Sequence, residues 1–486
     1  MEYVHKFNEF VASISDPSQA LIDKQISIVQ KYVPLDVMLL KSIFYYVVMF
    51  LFSFFWNIKL PPLIKHISSF LTGIVLLFVS GGLFALISAF FMIIGTYLIL
   101  LTNFGVKQPS SVLWFNLAVL LLVKYHVRLT TYGTWQFDYT AQLMILVQTL
   151  TILAYNLHDG QIPDKPTTDS KPPSKSMLAL LARRQKFALP SLPPILNYLS
   201  YTIFPVTFMF GPAIEYTQWI ESLNPNRQYA GKRWRNALKE FIIGVLCVSV
   251  FLVPNALSID FLTPEYVQST PLWKRLLKMH IVGEAYRTKY YSCWCLTTAC
   301  MYISGCGFDG QDWDSGICIK PFALETSTKP QHFIAEWNRG TQRFLKYYVY
   351  QRTPISLNRN FRQLLTFCLS ALWHGWYIGY SFTFFSFFIV NLIGNNVNDI
   401  KKNIHYDERI KSNHKIIHWV VTFFEWVMTQ FCFNYSSISH MAIVGSKVIY
   451  TFSALNWAGH KVFFVLLAIT SIISQLTKAK PSEKTS

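Results

Sequence analysis

Apolar runs long enough, or nearly long enough, to cross a lipid bilayer recur along almost the whole chain, and they limit its fold more than any other feature. A spanning helix needs about 20 mostly apolar residues. Residues 37–56 meet that length with one lysine near the start. Residues 67–101 are too long for a single pass, and Gly81-Gly82 in their middle predicts a break into two segments. Runs at 112–123 and 143–155 are short and read as tilted or partly buried helices. Others follow at 195–210, 241–257, 291–303, 364–380, 382–393, 416–433 and 462–473. Together they predict about ten membrane segments in an all-α chain. Composition agrees: 52% of residues are hydrophobic and 14% charged, where soluble domains carry about 25% charged residues.

The 43 Lys and Arg outnumber 25 Asp and Glu, for a net charge of +18. The positive charge falls between apolar runs, as at Lys124, His126 and Arg128, at Arg183-Arg184 and at Lys401-Lys402. That placement predicts cytosolic loops facing anionic membrane lipid, with no nucleic-acid partner. The polar, proline-rich stretch 158–194 carries Lys165, Lys171, Lys175, Arg183, Arg184 and Lys186, and reads as a long cytosolic loop, disordered near 163–176. No linker or internal repeat divides the chain. Residues 1–35 read as an N-terminal amphipathic, interfacial segment, 36–477 as one polytopic domain and 478–486 as a polar tail. Residues 1–15 lack the apolar core of a signal peptide, so the first spanning helix is expected to target the chain.

Two further groups of residues read as structural. Cys293, Cys295, Cys300, Cys306 and Cys318 match no standard zinc spacing, and are expected to be small buried residues, a lumenal disulfide being the alternative. His414 and His418 have the i,i+4 spacing of metal ligands, but no carboxylate accompanies them, so no metal site is expected.

An ionisable side chain inside apolar sequence is costly and tends to face a cavity or a partner. His374 is such a residue: no other side chain from 364 to 398 except cysteine approaches a charged state near neutral pH. Its neighbours are Trp373, Gly375, Trp376, Tyr377, Gly379 and Tyr380. Read as a helix, 364–380 puts Gly375 and Gly379 on one face, a spacing that lets another helix approach closely. Burial among aromatics favours a neutral imidazole, a competent general base. A histidine satisfied by a backbone carbonyl fits the same spacing.

A second feature runs from Glu336 to Arg352. As one helix it carries a mainly apolar stripe, Trp337, Thr341, Phe344, Leu345 and Tyr348, and a basic stripe, Arg339, Arg343, Lys346 and Tyr350. Arg359 and Arg362 follow. The pattern suits a membrane–water boundary. The cations either meet lipid headgroups or bind phosphates of an anionic donor, with Asn338 marking the end nearest the chemistry. The chain lacks GxSxG, a phosphate-binding glycine loop, HExxH and His-x4-Asp.

These segments resemble the membrane-bound O-acyltransferase family. Trp373-His374-Gly375, Gly379-Tyr380 and Phe384 are similar to the histidine segment of its lysophospholipid acyltransferase branch. Trp337-Asn338, Leu345-Lys346, Tyr350 and Arg352 resemble that branch's asparagine segment. Trp135 to Thr140, His158-Asp159-Gly160, and Tyr201 to Gly211-Pro212 extend the likeness over roughly 36–476. The sterol and diacylglycerol branch differs at 333–338.

The resemblance implies a bundle of ten or eleven transmembrane helices around a central catalytic cavity. It implies transfer of an acyl chain from acyl-CoA, a co-substrate rather than a cofactor, to the sn-2 hydroxyl of a lysophospholipid with a choline, ethanolamine or serine headgroup. His374 would be the general base and Asn338 a positioning or oxyanion donor. Arg339, Arg343, Lys346, Arg352, Arg359 and Arg362 would meet the CoA phosphates, and Trp337, Trp373, Tyr377 and Tyr380 would line the cavity. The expected setting is a multi-pass protein of the endoplasmic reticulum. The alternatives are the same fold acting on a sterol, diacylglycerol or peptide hydroxyl, or a lipid transporter. Homo-oligomerisation is left open.

Overall fold

The computed structural model describes residues 17–31, 37–133, 139–161, 174–224, 226–229, 231–251 and 259–478. The expectations for residues 1–15, for 135–138, for Lys165 and Lys171 and for the tail beyond 478 lie outside these residues. Every regular element among the described residues is helical.

Seven described helices are long and apolar enough to cross a membrane: Leu39–Trp56, Pro62–Leu100, Ser110–Thr130, Thr140–Gln161, Ile378–Asn403, Lys415–Ala442 and Ala458–Leu476. The break expected at Gly81-Gly82 is present. Both glycines leave helical geometry, and Gly82 takes φ +64°, a conformation that favours glycine. Gly81 is also needed for closeness, since a Cβ there would lie 2.1 Å from the Tyr139 ring.

Three other runs depart from the sequence reading. Residues 195–210 form two short helices, Ile195–Thr202 and Pro205–Phe208, interrupted before Pro205. Tyr198, Tyr201, Phe204 and Phe208 are buried, so this apolar run fills protein interior instead of spanning. Residues 291–303 end the 33-residue helix Leu272–Ser304, whose earlier turns carry Lys274, Arg275, Glu284 and Arg287. Residues 364–380 do not form one helix: Arg359–His374 ends and Ile378–Asn403 begins.

The chain forms two compact units. Residues 1–245, 293–318 and 339–348 make up the first, and 246–292, 319–338 and 349–486 the second. In the first unit, Thr140–Gln161 is an interior helix: 89% of its apolar window is buried, against 28% for Ser110–Thr130. Two of its buried amides donate within the protein. Gln148 donates to the Thr341 hydroxyl at 3.0 Å and Asn156 to Glu215 at 2.8 Å, as buried polar groups require. In the second unit, Ile378–Asn403 packs against Arg359–His374, Lys415–Ala442 and Ala458–Leu476. The first half of Lys415–Ala442 exposes Ile416, Trp419, Val420, Phe423 and Phe424, a stripe at helical spacing suited to lipid.

None of the eight cysteines, all among the described residues, is in a disulfide; Cys295, Cys300, Cys306 and Cys318 are buried. His418 lies in the first turns of Lys415–Ala442, its Nδ1 3.3 Å from the Tyr406 hydroxyl. Among the described residues, no three His, Cys, Asp or Glu side chains gather as metal ligands would.

Candidate active site

His374 is the last residue of its helix. Asn358 caps the start, its side chain accepting from the Asn360 N–H at 2.8 Å. Gly375 ends the helix at φ +114°, its N–H donating to the carbonyls of Ala371 and Leu372. The expected shared face of Gly375 and Gly379 is therefore not formed, because left-handed backbone at 375 stops the helix before Gly379 can join it. Gly379 makes a close approach. A Cβ there would lie 2.2 Å from the Ser439 carbonyl oxygen.

The half-buried His374 ring is set among four others. Trp373 and His440 stand nearly perpendicular to it, with centroids at 5.0 and 5.1 Å. Tyr380 and Phe384 are tilted against it at 5.4 and 5.0 Å. Two of the four expected cavity-lining residues, Trp373 and Tyr380, thus touch the His374 ring. Tyr377 packs edge-on to Tyr380 at 6.2 Å. Trp337 packs instead on Tyr290 and Tyr291 at 5.6 and 6.2 Å.

Asn338 lies between helices, correcting the single amphipathic helix expected over 336–352. Pro330–Glu336 ends, Trp337 is extended and Asn338 takes φ +45°. Arg339–Phe344 then starts, followed by a π turn at Leu345–Val349 and a 3-10 turn at Tyr350–Arg352. Asparagine is among the few residues that accept left-handed backbone at modest cost. The predicted apolar stripe holds where it folds as helix or turn: Thr341, Phe344, Leu345 and Tyr348 are all buried.

The segment leading into Asn338 is fixed by a charged cluster. Arg287 donates to Glu325 at 2.7 Å, to Glu284, and to Gln430 at 3.2 Å, while Tyr291 donates to Glu325. Gln430 returns hydrogen bonds to the carbonyls of Leu324 and Glu325 at 3.1 and 3.0 Å. Phe333 stacks on Phe433 with centroids 4.0 Å apart. Gln430, Phe433 and His440 are spaced three and seven apart, so they share one face of Lys415–Ala442. That single face holds the Asn338 segment near one point and touches His374 about 15 Å further along.

The six expected phosphate-binding cations divide between the units. In the first, Arg339 is bound to both Asp314 oxygens at 2.6 Å. Arg343 donates to the carbonyls of Asp314 and Ser315 at 2.9 and 2.5 Å. Burial and the neighbouring Arg339 push its pKa down to about 10. Lys346 is exposed beside the Tyr347 ring. In the second unit, Arg362 donates to the Tyr350 carbonyl at 2.7 Å and lies over that ring. Arg352 closes the 3-10 turn, and exposed Arg359 opens the helix that ends in His374.

Sequence reasoning missed two groups. His440 follows a serine-rich stretch beyond the apolar run assigned at 416–433. The second group lies in the first unit, where buried Glu215 accepts from Asn156 at 2.8 Å, Arg183 at 2.8 Å and Tyr348 at 2.7 Å. Glu215, Arg183 and Tyr348, with Gln218, Ser315 and Arg343, line a small cleft. The usable signal was Glu215 itself, a carboxylate four residues after Gly211 in otherwise apolar sequence.

Residues 89–438 match the model of MBOAT, the membrane-bound O-acyltransferase family. The chain is 26% identical over 458 residues to membrane-bound glycerophospholipid O-acyltransferase 1 of Mus musculus, covering 87% of this chain and 85% of that one. It is 26% identical over 453 residues to membrane-bound glycerophospholipid O-acyltransferase 2 of Mus musculus, covering 88% and 81%. Lysophospholipid acyltransferase 6 of Drosophila melanogaster is 28% identical over 314 residues, covering 59% of this chain and 41% of its own.

Proposed function

Because this chain belongs to the membrane-bound O-acyltransferase family, and is therefore an acyltransferase with several membrane-spanning helices, we propose that it acylates the free sn-2 hydroxyl of a lysoglycerophospholipid. Acyl-CoA is the donor, and the setting is phospholipid remodelling in the endoplasmic reticulum membrane. The names of the relatives support the acceptor class. The observation that carries the chemistry is His374, an imidazole at a helix C-terminus walled by aromatic rings.

In this reading His374 takes the proton from the acceptor hydroxyl as its oxygen attacks the thioester carbonyl. The carbonyl π electrons move onto oxygen, and the Asn338 carboxamide donates to that oxyanion. Such a donor contributes about 3 kcal/mol in comparable sites. The C–S bond then breaks, and the imidazolium returns its proton to the departing thiolate. The negative end of the Arg359–His374 helix favours the positive charge that develops on the ring. Aromatic packing limits water, which would compete as acceptor. Arg359 is the cation offered for a CoA phosphate, since it is exposed on the same helix as His374, about 22 Å along its axis. Arg362 and Arg352 flank it.

Purified protein supplied with labelled acyl-CoA and a panel of lysolipids, sterols and diacylglycerol tests this reading. Labelled diacyl phospholipid with stoichiometric release of free CoA is expected, strongest with choline, ethanolamine or serine headgroups. Label appearing only on sterol or diacylglycerol would remove the proposed acceptor. Lipid movement without CoA release would favour a transporter.

A further inference from the structure

His440 belongs to no motif that the proposed chemistry uses, yet its ring is one of three that close a nearly equilateral triangle. The His374–His440, His374–Tyr380 and Tyr380–His440 centroids lie 5.1, 5.4 and 4.9 Å apart. Two helices end at this point. His374 is the last residue of Arg359–His374, and His440 lies in the last turn of Lys415–Ala442, which stops where Ile443 takes φ +45°. Each helix C-terminus carries partial negative charge that favours a nearby cation within the last turn. Two such ends meeting beside a pair of imidazoles favour positive charge that develops on His374.

We propose that His440 is a positioning residue for the reaction: it orients the His374 imidazole and stabilises the proton that His374 takes from the acceptor. The proposal rests on the reading of His374 as the base. When the acceptor proton moves to His374, the His440 ring, nearly perpendicular to it at 5.1 Å, is a polarisable neighbour of the imidazolium, and no bond to His440 forms or breaks. Its rigid placement follows from its helix, whose Ser439 hydroxyl is 2.8 Å from Thr383 on Ile378–Asn403. Two titratable groups, His374 and Tyr380, stand against the His440 ring. Among other described groups on elements packed against this helix, Lys447 is held by Asp260 at 2.7 Å and His460 packs on Tyr435 and Phe452. Asp407, Glu408, Arg409 and Lys411 lie before the start of the helix, at its opposite end.

The test is the pH profile of kcat/KM for acyl transfer by the purified full chain, with acyl-CoA and a lysolipid. The ascending limb of that profile reports the coupled imidazole pair. His440→Phe keeps a ring beside His374 and Tyr380. It is expected to lower kcat about tenfold or more, to move the limb to lower pH by about half a unit, and to change either KM by less than about twofold. His440→Gln, which retains a polar acceptor, is expected to recover part of kcat. A His440→Phe protein with kcat within twofold of wild type and an unmoved limb overturns the proposal. If that variant does not fold, wild-type kcat and an unmoved limb in His440→Gln overturn it equally. His374→Ala separates the two ideas. An active His374→Ala enzyme removes the base and this proposal together. A dead one beside an unaffected His440→Phe removes this proposal only.

Discussion

The N–H of Gly379 donates to the carbonyl of Ile443 at 3.1 Å, and a Cβ on Gly379 would fall 2.8 Å from the Ile443 Cα. This contact seats the start of Ile378–Asn403 against the end of Lys415–Ala442, just beyond the loop that carries Gly375. The obstructing atoms are backbone and cannot rotate away. Gly379→Ala is expected to cost about 2 kcal/mol, as overpacking in tight interiors does. The readout is the thermal unfolding midpoint in detergent. A midpoint equal to wild type would mean that the backbones separate freely.

His374→Ala is expected to lower acyl transfer by at least about a thousandfold, within the range of a lost general base. Membrane insertion and monodispersity should be unchanged, since the side chain is half-buried and the helix end is set by Gly375. Transfer at a tenth of the wild-type rate or better would exclude the imidazole as the base.

Asn338 combines a left-handed backbone, φ +45°, with a carboxamide, and two substitutions separate those roles. Asn338→Gly retains the backbone freely but deletes the amide. Its kcat should fall about a hundredfold, near the 3 kcal/mol of one oxyanion donor. Asn338→Ala should lose the same activity and destabilise the chain by a further ~1 kcal/mol. Wild-type kcat in Asn338→Gly would assign the residue to backbone geometry alone.

Arg359→Glu tests the phosphate role without disturbing a packed group, because Arg359 is exposed and its 3.5 Å contact with Asn395 is long. The KM for acyl-CoA should rise severalfold while the KM for lysolipid changes little, with the difference shrinking at high salt. Equal changes in both constants would point to a headgroup contact.

The sequence made legible what depends on chain-local chemistry. The run at 37–56 is a helix, and Gly81-Gly82 breaks the next one because the φ +64°, ψ −148° backbone of Gly82 is essentially restricted to glycine. Hydrophobicity does not distinguish lipid from protein interior, so the buried Tyr198, Tyr201 and Phe204 read as part of a span. Gly375 was ambiguous for a different reason. A glycine in apolar sequence serves equally as a helix-packing residue or a helix terminator, and φ +114° decides for the terminator. The amphipathic period across Trp337-Asn338-Arg339 survives a local break, which hid the left-handed residue. His440 approaches His374 across 65 intervening positions, a contact that no local pattern encodes.

Glu215 and Tyr348 define the buried polar centre of the first unit, and the cost of removing each should differ in a predictable order. The Glu215 carboxylate takes hydrogen bonds from Arg183, Asn156 and Tyr348. Burial pulls the Arg183 pKa down, but the charge and hydrogen bond of Glu215 together with neighbouring Tyr348 and Tyr347 outweigh it, and the net shift is upward. Tyr348→Phe removes one hydroxyl and should cost about 1 kcal/mol. Glu215→Ala strands a guanidinium and an amide together. Breaking a buried pair costs about 3 to 5 kcal/mol, and the 21% exposure of the Arg183 side chain places this one at the low end. Glu215→Gln keeps an acceptor for Asn156 or Tyr348 and should fall between them. Unfolding midpoints of the three variants in one detergent give the order directly. A Glu215→Ala protein no less stable than Tyr348→Phe would mean that water already satisfies Arg183, and that the carboxylate is not what holds Thr140–Gln161 to the 339–348 segment.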